Sequence, residues 1–113
     1  MANGTIKTGK SFDLLWANPK PSSSFAAQTV SLDLSAYDAL LVVCRMFTTT
    51  TYYFTNICMV GLSAILNTLD ASGNRYGRAA DVATTGITFG QGYSNGSASA
   101  DRVIPYQIFG IKF

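Results

Sequence analysis

Histidine and glutamate are both absent from the 113 residues of this chain. Without histidine there is no Ser-His-Asp or Cys-His arrangement and no imidazole for a metal, and without glutamate the usual carboxylic acid-base group is missing. Charge is scarce too, at 12% of residues, about half the usual share of a globular domain. It comes as four Lys, four Arg and six Asp, net +2, with the cations scattered from Lys7 to Lys112. A nucleic-acid partner needs a clustered basic face, so none is expected.

Long apolar runs are missing as well. Residues 57–66, ICMVGLSAIL, form the most apolar stretch and reach only half of the roughly 20 residues that a membrane helix needs. The start, MANGTIKTGKSFDLLWANPKP, contains no apolar core of a secretory signal. Neither signal-directed export nor membrane insertion is expected. Cys44 and Cys58 are the only cysteines. A hairpin turning near Thr50 and Thr51 would bring them opposite each other, within disulfide range, but two free thiols in a core is the favoured reading.

What the chain does hold is 23 Ser and Thr, 10 Gly and 48% apolar residues, a composition that favours strands and excludes disorder. Phe12, Leu14 and Trp16 alternate ahead of the breaker NPKPSSS at 18–24. QTVSLDL at 28–34 is the cleanest half-buried strand, with Val30, Leu32 and Leu34 on one face. After a turn at SAYD, 35–38, ALLVVCRMF at 39–47 is apolar on both faces and reads as a central strand. A hairpin through 48–53 then leads back along FTNICMVGL at 54–62.

SAILNTL at 63–69 reads as a strand or a short helix, and the turn DASGN at 70–74 favours the strand. The alanines of RYGRAADVATT, 75–85, allow a helical turn. GITFG at 86–90 reads as a short strand, and QGYSNGSASAD at 91–101 as a polar loop with a type I′ turn at Asn95-Gly96. RVIPYQIFGIKF at 102–113 ends the chain as a long strand, and Pro105 places it at an edge or marks a bulge. Eight or nine short strands separated by turns describe a single all-β domain, an antiparallel β-sandwich of jelly-roll-like type spanning 1–113. Residues 1–10 form an N-terminal segment available as an attachment arm.

Candidate chemistry is thin. Asp33, Asp38, Asp70 and Asp101 lie beside turns, where Asp bonds local backbone, so no catalytic carboxylate pair is assigned. Residues 70–81 superficially match a calcium loop but carry Arg75 where Gly is required, so no metal is expected. GQGYSNG at 90–96 has no following Lys or helix and is not a phosphate cradle. Asn3 and Asn95 head formal N-glycosylation sequons that read as ordinary turns. No catalytic residue and no cofactor are assigned. The binding candidates are Tyr52 and Tyr53 at the hairpin tip with Tyr93 and Asn95 in the polar loop, whose flat rings and amides suit a sugar or protein surface. On the last strand both faces are apolar, one for the core and one for another subunit; Tyr106, Ile108, Phe109, Ile111 and Phe113 are the candidate subunit contacts.

Two stretches, LLWANPKPSSSFAAQTVSLDLSAYDALLV at 14–42 and VIPYQIFGIKF at 103–113, resemble the small β-rich tip domains of phage tail-fibre and related virion proteins. The resemblance implies a non-enzymatic, homotrimeric β-sandwich in the virion, assembled in the host cytoplasm, that contacts other virion proteins and a host surface glycan or protein during attachment. A capsid decoration or appendage-joining protein is the alternative expectation, and a carbohydrate-binding module a further one.

Overall fold

The computed structural model describes residues 11–49 and 52–113. The proposed arm at 1–10, the sequon at Asn3 and the hairpin residues Thr50 and Thr51 lie outside them. The described residues form nine strands and no helix: β1 Ser11–Ala17, β2 Gln28–Ser31, β3 Ala39–Phe47, β4 Tyr53–Met59, β5 Ser63–Leu69, β6 Arg75–Ala83, β7 Gly86–Ser94, β8 Ser97–Ala98 and β9 Arg102–Lys112. They pair antiparallel into a four-stranded sheet in the order β1-β9-β3-β4 and a second sheet, β2-β7-β6-β5, with β8 beside β7. First strand pairs with last and β2 with β7, which gives the wrapped arrangement of a jelly-roll-like sandwich.

The core lies between the sheets. Leu40, Val42 and Cys44 of β3 and Ile108 of β9 are buried together with Val30, Leu66, Ala80, Val82, Ile87 and Phe89 from the opposite sheet. Alternation drives this, because every second residue of a strand points to the same face. On β6, Tyr76, Arg78, Ala80 and Val82 are the buried set. The segment that allowed a helical turn is therefore a full strand, held in place by β5 on one side and β7 on the other.

Three expectations are corrected. The polar loop at 91–101 is largely paired: β7 runs on to Ser94, and β8 returns beside it after a turn in which Asn95 and Gly96 both have positive φ, 49° and 88°. That geometry is the type I′ turn expected for Asn-Gly. The expectation of an edge or a bulge at Pro105 holds: a register shift between Val43 and Cys44 skips Tyr106 and leaves Pro105 opposite Cys44, beyond the Ala17–Gln107 pair where the β1 ladder ends. The two cysteines are not opposite each other, because Cys44 pairs with Phe54 and Cys58 with Leu40. Four residues apart along the ladder, they are about 13 Å distant, beyond the roughly 7 Å Cα reach of a disulfide. Both are free and buried, and desolvation pushes both thiol pKa values up. Finally, Ile108 is 0% exposed and belongs to the core, not to a subunit contact.

One charged group crosses the core. Arg78 is 1% exposed, and its guanidinium donates to three backbone carbonyls: Nε to Val103 at 2.8 Å, one terminal nitrogen to Gly90 at 2.6 Å and the other to Arg102 at 3.0 Å. The Phe25 ring lies 5.2 Å from its central carbon. Desolvation lowers its pKa to about 10, so it stays cationic at neutral pH.

Candidate functional site

Three turns meet at one end of the sandwich. They are the β3–β4 hairpin, the β5–β6 turn at 70–74 and the β7–β8 turn at 95–96. Between the first two opens a cleft of about 510 Å³ lined by Met46, Phe47, Tyr52, Tyr53, Leu69, Asp70, Ala71 and Ser72. Its walls are apolar and accessible: Tyr52 is 66%, Tyr53 47% and Leu69 59% exposed. Large apolar groups are left at a tip because the strands end there, and among the described residues nothing covers them. The Phe47 ring meets Tyr76 edge-on at 5.0 Å, and the Arg102 guanidinium lies 4.6 Å above Phe47. Tyr53 in turn packs against Tyr106 at 5.0 Å.

The polar side of the cleft is pre-set by Asp70. Its Oδ1 accepts from the backbone N–H groups of Ser72 and Asn74, and its Oδ2 from Asn74 Nδ2 and the Tyr76 hydroxyl, at 2.9 to 3.0 Å. These bonds favour the charged form, and the Asn74 contacts lead in holding the carboxyl down at about 2. Asn95 continues the chain: its Nδ2 donates to Asn74 Oδ1 at 3.0 Å, and its Oδ1 accepts from the Arg75 N–H at 2.8 Å. The calcium-like spacing of 70–81 thus serves a turn, and among the described residues no cluster of metal-ligating side chains occurs.

The sequence-derived candidates divide accordingly. Tyr52 and Tyr53 come together in the cleft. Asn95 spends its side chain on the turn beneath it. Tyr93, 45% exposed, lies on β7 opposite Gly77 and Ala98, away from the cleft. Leu69, Asp70 and Ser72 were not singled out as ligand contacts; an apolar residue at a strand end followed by an Asp turn was the available signal.

The outer faces of the two sheets differ in how their apolar residues are arranged: those of the second sheet, Ile65, Leu69 and Tyr93, are set among polar positions. Across the four-stranded sheet, Leu14, Phe109, Leu41 and Ile57 stand in one cross-strand row. The next row is Phe12, Ile111, Ala39 and Met59. Every member of both rows is apolar. Phe12 stacks on Phe109 with ring centroids 4.8 Å apart and planes within 8°. Phe12, Leu14, Ile57 and Met59 remain 42 to 57% exposed. Across the other sheet the comparable row is Ser63, Asp81, Thr88 and Thr29, wholly polar, with the two threonine hydroxyls 2.9 Å apart. Of the candidate subunit contacts, Phe109 and Ile111 lie on the apolar face, Tyr106 packs beside Tyr53 at the margin, and Phe113 is 64% exposed past the end of β9.

No family model, curated protein or solved structure matches this chain.

Proposed function

We propose that the chain is a non-enzymatic virion protein of a bacterial virus, a tail-fibre tip domain that works as a homotrimer and attaches to a host-surface saccharide through the end cleft. The observation that carries the ligand assignment is the pairing of accessible Tyr52, Tyr53 and Leu69 with the fixed Asp70–Ser72 turn. A pyranose ring has an apolar C–H face and a rim of hydroxyls, and it matches such a combination of ring faces and local polar groups. The absence of histidine and glutamate from the sequence supports binding without covalent chemistry. The virion setting rests on the sequence resemblance of residues 14–42 and 103–113 to tail-fibre tip domains.

A glycan array probed with the wild type, Tyr52→Ala, Tyr53→Ala and Tyr93→Ala tests the site. Loss of signal with the first two variants and retention with Tyr93→Ala supports it; unchanged binding by Tyr52→Ala and Tyr53→Ala overturns it. Competition between purified protein and phage for adsorption tests the attachment role, and no competition on any susceptible strain favours capsid decoration.

A further inference from the structure

We infer that the outer face of the four-stranded sheet is the surface on which a second copy of this chain packs. This deepens the assembly part of the reading above and is independent of the saccharide cleft. Four observations support it. The rows through Leu14–Ile57 and Phe12–Met59 are apolar from edge to edge, while the opposite sheet shows that this chain readily builds a polar outer face. Water-exposed sheets normally alternate apolar inside with polar outside, so a continuous apolar row on the outside marks a face that is covered.

The second observation is area. The four strands contain 7, 11, 9 and 7 residues. At about 3.3 Å rise and 4.8 Å spacing they present roughly 540 Å² in projection. Two such faces together, counting the mixed row of Ala17, Gln107, Val43 and Thr55 and the Arg45–Tyr53 end as well as the apolar rows, come to about 1,100 Å², which clears the roughly 1,000 Å² expected of a specific interface. The third is charge. Symmetric packing brings residues close to their own copies, so any charge in the centre would meet its like; neither row contains one. The fourth concerns a competing cover. Residues 1–10, which immediately precede β1, offer only Met1, Ala2 and Ile6 as apolar groups, fewer than the four large side chains, Phe12, Leu14, Ile57 and Met59, that stand exposed.

The test is sedimentation velocity on the full chain at micromolar concentration, comparing the wild type with Leu14→Lys, Ile57→Lys and Ile65→Lys. Ile65 is 60% exposed on the opposite sheet and serves as the control. The expected result is an oligomeric wild type, monomeric Leu14→Lys and Ile57→Lys with unchanged far-ultraviolet dichroism, and an oligomeric Ile65→Lys. Oligomers that survive both face variants but dissociate with Ile65→Lys overturn the face while leaving the homotrimer standing. A dimeric wild type that the face variants dissociate supports the face and overturns the trimer. A monomeric wild type overturns both and points to a different virion protein as the cover. Should either face variant fail to fold, hydroxyl-radical footprinting of the wild type decides. Concentration-dependent protection at Leu14 and Ile57 supports the face, and labelling unchanged on dilution overturns it.

Discussion

The guanidinium of Arg78 on β6 reaches across the sandwich and donates at 2.8 Å to the carbonyl of Val103 on β9, tying one sheet to the other. Val103 has φ +52°, a left-handed conformation that a β-branched residue avoids. The bond fixes the carbonyl that this conformation turns inward. Gly92 completes the arrangement, because a Cβ there would run into the carbonyls of Ser99 and Arg102 and lie 2.9 Å from the guanidinium.

Arg78→Lys is therefore expected to cost about 3 kcal/mol or more, since an ammonium cannot serve three carbonyls set out for a planar fork. Gly92→Ala is expected to destabilise the same region by overpacking. Urea unfolding measures both; a loss below about 1 kcal/mol for Arg78→Lys, the size of an ordinary surface change, would contradict the role given to the clamp.

Strand content was largely legible because period-2 alternation survives in the sequence wherever one face is buried. It faded where residues are small. In β6 the core positions include Ala80, and in β7 the inward position Gly92 has no side chain to announce it. Parity failed on β9 for a different reason. Val103, Ile104 and Pro105 are all buried in succession, and the register shift at Tyr106 resets which face later residues occupy, so Ile108 turns inward while Phe109 and Ile111 turn out. Alternation assumes an uninterrupted pleat, and a local pattern does not reveal where it breaks. Within the cleft, Tyr52 and Tyr53 stood out as aromatics at a polar tip, whereas Leu69 and Asp70 reach them only through tertiary pairing of distant segments.

Phe109→Asp is expected to act on assembly before folding. Its ring is half-buried under Phe12 on the outer face, so a carboxylate there retains partial access to water in the monomer but would be trapped in an interface. Sedimentation should show a monomer with native dichroism. A variant that keeps the wild-type mass would remove Phe109 from the contact.

Acid sensitivity should trace to Asp70. A carboxyl whose folded pKa is held down to about 2 stabilises the fold above its unfolded value near 4, and that contribution disappears as pH falls from about 4 to 2. The stability gap between the wild type and Asp70→Ala should thus be full at neutral pH and close over that interval. Thermal melts at pH 7, 4 and 2.5 would check it. A gap that stays constant with pH would show that the carboxylate charge is not what the turn uses.

Neither thiol should react in the native state. Cys44 is 0% and Cys58 1% exposed, and desolvation keeps both protonated. Iodoacetamide at pH 8 is expected to add no mass to the folded protein and two adducts after denaturation, with no two-dalton difference on prior reduction. Rapid labelling of the folded protein would place one of the sulfurs at the surface.

The Asn95–Asn74–Asp70 chain has a consequence for how this molecule tolerates change. The cleft takes its shape from turns, and the apolar sheet face from strands whose register is set elsewhere. The 70–74 and 95–96 turns are locked to each other through side chains, and the two-residue Asn95–Gly96 turn also sets the β7–β8 register, so a change at one of them is felt at the other. New surfaces are therefore reached more easily by exchanging the exposed Tyr52, Tyr53 and Leu69 than by rebuilding the turns beneath them.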